Sequence, residues 1–108
     1  MIAFESFKEL ITLMNKTEEE LGNFNKNIEN IFGSNSVCMY FAPLEIIQNS
    51  IINILQNEFG ESKEGAEWFV YEGYSQIKNG GTEIKCDDKE WHIKSLKDYY
   101  EFLCSLRK

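Results

Sequence analysis

A helix with apolar residues on more than one face must be packed on more than one side. Leu44, Ile46, Ile47, Ile51, Ile52, Ile54, Leu55 and Phe59 form such a run. Pro43 suits its first position, where a missing N–H costs nothing, and Gly60 suits its end. Gln48, Asn49, Ser50 and Asn53 interrupt the run, so it is too short and too polar to span a bilayer. The chain is therefore expected to fold in water around this helix.

The neighbouring segments supply the partners. Phe4, Phe7, Leu10, Ile11 and Met14 recur at helical spacing and predict a helix from Ala3 to Asn15. Thr17 and Glu20 then read as a capping box that opens a second helix. Its stripe is Leu21, Phe24, Ile28, Ile31 and Phe32, with Gly33 as the stop. Val37 to Phe41 suits a short buried strand. Ser62 caps a short helix from Lys63 to Glu72, with Gly65, Trp68, Phe69 and Glu72 on one face. Tyr74 to Lys78 suits a short strand, and Asn79-Gly80-Gly81 a turn. Ser95, with Asp98 three residues on, opens a last helix whose stripe is Leu96, Tyr99, Tyr100, Leu103 and Leu106.

TEIKCDDKEWHIK alternates with period two, the mark of a hairpin with one buried side. Thr82, Ile84 and Cys86 share one face with Trp91 and Ile93, and Trp91 is expected to anchor the hairpin. Glu83, Lys85, Glu90, His92 and Lys94 point away. A loop of Asp87-Asp88 pairs Ile84 with Trp91 and Lys85 with Glu90. A loop of Asp88-Lys89 pairs Ile84 with Ile93 and Glu83 with Lys94. Aspartate tolerates left-handed angles, which favours the first. CDDKEWH also invites reading as a metal site or an exposed contact epitope. Cys86 and His92 lie on opposite faces, however, and structural zinc wants four nitrogen or sulfur ligands. The chain has one histidine and three scattered cysteines, so the segment reads as a turn.

These elements predict an α+β fold: one mainly helical domain over residues 1–108, with four to five helices and a small antiparallel sheet around the C-terminal hairpin. Cys38, Cys86 and Cys104 are odd in number and irregular in spacing, which suggests free thiols in a reducing, cytoplasmic compartment. Cys104 falls in an apolar stripe and is expected in the core. The first residues carry Glu5 and Glu9 and no basic start, unlike a signal peptide.

Net charge is −7. Arg107 is the only arginine, so the fork that grips phosphate and guanine is nearly missing and direct nucleic-acid binding is not expected. Neither GxxxxGK[ST] nor GxGxxG occurs, no cofactor is implied, and nothing local places a thiol beside His92. The chain is not expected to be an enzyme. The surface is more informative. Between Glu45 and Ser75 six acids face one base. Within that section Glu61, Glu64, Glu67, Trp68, Tyr71, Glu72 and Tyr74 are the candidate protein-interaction residues. Tyrosine and tryptophan supply contact area at little entropic cost, and carboxylates attract a basic surface. In the competing reading Trp68 and Phe69 are core and the glutamates only solvate an outer face.

The stretch WFVYEGYSQIKNGGTEIKCDDKEWHIKSLKDYYEFL covers about a third of the chain. With its lysine over arginine and its hairpin before a short C-terminal helix, it resembles small acidic proteins of phages and mobile elements from AT-rich bacteria. The resemblance implies an inhibitor or accessory factor that occludes a host protein, and implies no site residues. Three readings stay open: a non-enzymatic protein-binding module, a DNA mimic that blocks a nucleic-acid-binding site, and a small carboxylate-dependent enzyme. Oligomeric state is not legible.

Overall fold

The computed structural model describes residues 2–32 and 42–106. In chain order these form α1 (Phe4–Phe32), α2 (Ala42–Phe59), α3 (Lys63–Trp68), a π-helical turn (Phe69–Gly73), α4 (Tyr74–Lys78), β1 (Thr82–Cys86), β2 (Lys89–Ile93) and α5 (Leu96–Leu106). α3, the π turn and α4 follow without a break, as one rod over 63–78. The described residues thus make four helical rods and one two-stranded antiparallel sheet, the expected α+β class. The strand expected at Val37 to Phe41 and the stop at Gly33 lie outside the described residues.

α1 corrects the expectation of two helices. It runs for 29 residues through Thr17, which is an interior residue and not a cap. The physical reason is phase. Phe7, Met14 and Leu21 are seven residues apart, so the two apolar stripes continue one another. Nothing between Asn15 and Thr17 breaks a helix, and three glutamates are good helix formers. At 1.5 Å per residue α1 spans about 43 Å, most of the molecule's 52 Å long axis.

α2 places Leu44, Ile51, Ile52, Leu55 and Phe59 in the core. Ile47 and Ile54 are half-buried, while Ile46 is 67% exposed. The helix is therefore packed over a broad front and not all round. It ends as expected. Gly60 takes φ +76°, a left-handed angle that costs glycine little. The reversal lets the Glu61 N–H donate to the Leu55 carbonyl at 3.0 Å. Ser62 then caps α3, its Oγ accepting from the Gly65 N–H at 3.0 Å.

The rod does not stop at Glu72, and Tyr74 to Lys78 is helix and not strand. Gly73, just past the expected end, lies inside the rod. A Cβ on Gly73 would lie 2.7 Å from the Trp68 ring. The glycine is there to admit the indole, and the helix continues past it. The buried face is accordingly Ala66, Phe69, Val70, Gly73 and Ile77, with Glu72 exposed.

The hairpin follows the Asp87-Asp88 register. Both aspartates are left-handed, at φ 51° and 64°. Ile84 faces Trp91 and Lys85 faces Glu90. The inner face carries Thr82, Ile84 and Cys86, and His92 points outward. The anchor differs from the expected one. Ile93 is fully buried, whereas Trp91 is half-buried, edge-on to Phe102 at 5.5 Å. The Lys89 ammonium covers the Trp91 ring at 4.1 Å. Cys104 is also only half-buried. Ser95 caps α5 by accepting from the Asp98 N–H at 3.2 Å, and the Asp98 carboxylate accepts from the Lys94 N–H at 3.0 Å.

The core is aromatic. Phe69 of the π turn and Tyr99 of α5 stack with centroids 4.0 Å apart and planes 7° from parallel. Phe7 of α1 lies against both, at 6.2 and 6.5 Å. Phe59 closes the group edge-on to Phe7 at 6.2 Å. Tyr99 is wholly buried, and among the described residues its hydroxyl has no hydrogen-bond partner. Burial, and secondarily the Glu61 carboxylate, push its pKa far above the ordinary 10.0.

Two outcomes follow. In urea denaturation, Ile93→Ala should cost about 2–5 kcal/mol, and His92→Ala under about 0.5 kcal/mol; equal losses would mean the strand facing is wrong. The second concerns alkali. The folded state holds the Tyr99 proton after an unfolded tyrosine has lost it. Its contribution is therefore constant below pH 10.0 and falls as pH rises above that. Tyr99→Phe should lessen the alkaline loss. It should also leave neutral-pH stability unchanged or raised by about 1 kcal/mol, since an unpaired buried hydroxyl is removed. A steeper alkaline fall in the variant would contradict this.

A candidate protein-binding groove

The rod and α1 meet in an open groove of about 480 Å³. α1 contributes Met14, Asn15, Glu18 and Glu19; the rod contributes Tyr71, Tyr74 and Lys78. Helical spacing explains the α1 side. Met14 belongs to the buried stripe, and Glu18, one turn on, emerges at its margin. On the rod, Val70 turns inward and Tyr71 outward, so Tyr71 is 58% exposed. Tyr74, three residues on, is half-buried with its ring edge-on to Phe69 at 6.2 Å.

Lys78 is the groove's base, and it is engaged. Its ammonium donates to Asn15 Oδ1 at 3.0 Å and stands 5.3 Å over the Tyr74 ring. It thereby ties α4 to α1 and keeps its charge, and two carboxylates against one ammonium leave the groove net negative. Burial raises the Tyr74 pKa, and the Glu18 carboxylate raises it further. At neutral pH Tyr74 is therefore a hydroxyl donor beside a carboxylate. The walls offer flat apolar area, hydrogen-bond donors and negative charge.

The expected interaction residues are not gathered on one surface. Tyr71 and Tyr74 line this groove. Glu61 and Trp68 line a second groove of about 400 Å³, on the far side of the rod against β1 and α5. Trp68 is half-buried there, so it is partly core. Glu67 is paired along the helix with Lys63 at 3.9 Å, and both are solvated. Glu64 and Glu72 are exposed, Glu72 beside Tyr71 in a shallow depression. Sequence reasoning assigned Glu18 and Glu19 to a helix start and so missed their place opposite the tyrosines. Continuous phase through Met14 and Leu21 was the signal that could have found it.

A third cluster lies on the hairpin's outer face. Glu83, Glu90 and His92 bring ligand atoms within 4.8 Å of one another, all exposed. His92 Nδ1 sits 3.1 Å from Glu83 Oε1. The pairing puts Glu83 opposite His92, and Glu90 two residues along the same face. A solvated cross-strand contact between an imidazole and a carboxylate accounts for this cluster. Cys86, on the inner face, takes no part.

No helix of the described residues is long and apolar enough to cross a membrane. Comparison with family models, with curated proteins and with solved structures finds no match. Function is therefore argued from the side chains.

Proposed function

We propose that the chain is a non-enzymatic protein-binding module that takes a basic segment of a partner protein in the groove between α1 and the π turn. The observation that carries this is the position of Tyr71, 58% exposed beside Tyr74 and facing Glu18 and Glu19. An exposed tyrosine in an open groove with acidic walls is suited to anchoring a Lys- or Arg-bearing segment. Its ring supplies area and a cation–π surface, and the carboxylates supply attraction. A phosphate mimic would need a regular row of carboxylates. Here phenols and a lysine interrupt them, which favours a peptide ligand over DNA mimicry. In this reading the chain acts as an inhibitor or accessory factor, by occupying a site on its partner.

The test uses a partner captured by photo-cross-linking from position 71 in the native cell and then purified. Glu18→Gln with Glu19→Gln should slow association and flatten its salt dependence, because long-range attraction acts mainly on the encounter. Tyr71→Ala should speed dissociation about tenfold, as for an anchor residue. Glu64→Gln, on the rod but outside both grooves, should leave the kinetics unchanged. If neither groove variant alters binding while the fold survives, the groove is not the interface.

A further inference from the structure

The second groove runs beside β1, and β1 is an edge strand. In a hairpin with a two-residue loop, the residues flanking the loop form a hydrogen-bonded pair, and such pairs then alternate. Cys86 with Lys89, Ile84 with Trp91 and Thr82 with Ile93 are therefore the bonded pairs. The main-chain N–H and C=O groups of Glu83 and Lys85 must point the other way, outward from the sheet. Among the described residues no main-chain hydrogen bond reaches them. Five consecutive residues, Thr82 to Cys86, line the groove, over a floor that includes Trp68, Phe102 and Leu106.

We propose that β1 pairs antiparallel with β1 of a second copy of this chain, about a two-fold axis through Ile84, to give a four-stranded sheet across a dimer. The charge order of the strand selects this occupant and this register. In TEIKC, an axis through Ile84 sets Glu83 opposite Lys85 of the second copy and Lys85 opposite its Glu83. Those residues carry the outward main-chain groups, so each Glu83–Lys85 pair exchanges both of its hydrogen bonds. Ile84 meets its own copy in the closer, non-bonded pair, where side chains approach most closely. Registers centred on Glu83 or on Lys85 also keep the main-chain groups in phase, but they set like charges opposite one another. A register shifted by one residue aims bonded groups at unbonded ones and turns the apolar face outward.

Net charge does not oppose the contact. From Gln76 to the end of the chain seven bases face six acids, so this end is nearly neutral, and of the acidic section's carboxylates Glu61 alone lines this groove. Edge charges normally deter strand addition. Here one acid and one base flank an isoleucine, which deters other strands and admits this one. The contact is independent of the α1 groove.

The test is sedimentation of the full chain across a concentration series, with reductant present to exclude thiol cross-links, together with amide hydrogen exchange. A monomer–dimer equilibrium is expected. Exchange at the Glu83 and Lys85 amides should slow as concentration rises, while the Ile84 and Cys86 amides, already bonded to β2, change little. Glu83→Lys and Lys85→Glu should each weaken the dimer about tenfold or more, and the two together should restore it, since opposite charges again meet. Across the hairpin Glu83 meets His92 and Lys85 meets Glu90 on the solvated face, where such contacts contribute little, so the variants should keep the monomer fold, read by circular dichroism. A monomer at every concentration overturns the proposal. So does a dimer whose Glu83 and Lys85 amides stay unprotected, or one indifferent to the single reversals; a partner with another strand order would then own the edge.

Discussion

The stack of Phe69 on Tyr99 is the contact on which the other elements depend. Two wholly buried rings at 4.0 Å join the π turn to α5, and Phe7 seats α1 against both. Each ring comes from a different helix, so the cluster does what no single helix can do in a chain of 108 residues. It fixes three rods at one point. Such pairs contribute about 0.5–1.5 kcal/mol beyond the area they bury. The greater consequence is positional. Phe69 and Val70 turn inward at the π turn, and Tyr71 is thereby turned outward. π turns inside helices often mark functional positions, and here the turn carries the groove's most exposed ring.

The same cluster holds a cost, the unpaired Tyr99 hydroxyl. A phenylalanine would stack equally well and leave nothing unsatisfied. The described residues offer no partner that explains the oxygen. It does place a buried phenol where alkaline unfolding can report directly on the integrity of the stack.

Local chemistry was legible in the sequence and non-local packing was not. The hairpin could be read because alternation, opposed charges and two aspartates all specify one register. Ser62, Gly60 and Ser95 could be read because a cap depends on a few neighbours. The cap at Thr17 and the helix end at Glu72 fail for a common reason. Tertiary context overrides the local reading: at Thr17 because the stripe stays in phase, and past Glu72 because Gly73 admits the Trp68 indole and the helix runs on. Ile93 takes the wholly buried position, while Trp91 lies half-buried, edge-on to Phe102 of α5. The candidate residues of the acidic section shared a segment but not a surface, since a rod packed on two sides divides them between two grooves. Glu18 met Tyr74 only through the packing of α1 on the rod, which no spacing rule within either helix contains.

The account rests on the stack coupling the rod to α5, and a double-mutant cycle measures that coupling directly. Phe69→Leu, Tyr99→Leu and the double variant are compared with the parent in urea denaturation. A coupling energy of about 0.5–1.5 kcal/mol is expected for the pair. Losses that add to within about 0.3 kcal/mol would show that the two rings act independently, and would contradict the claim that their contact joins the helices and sets the groove.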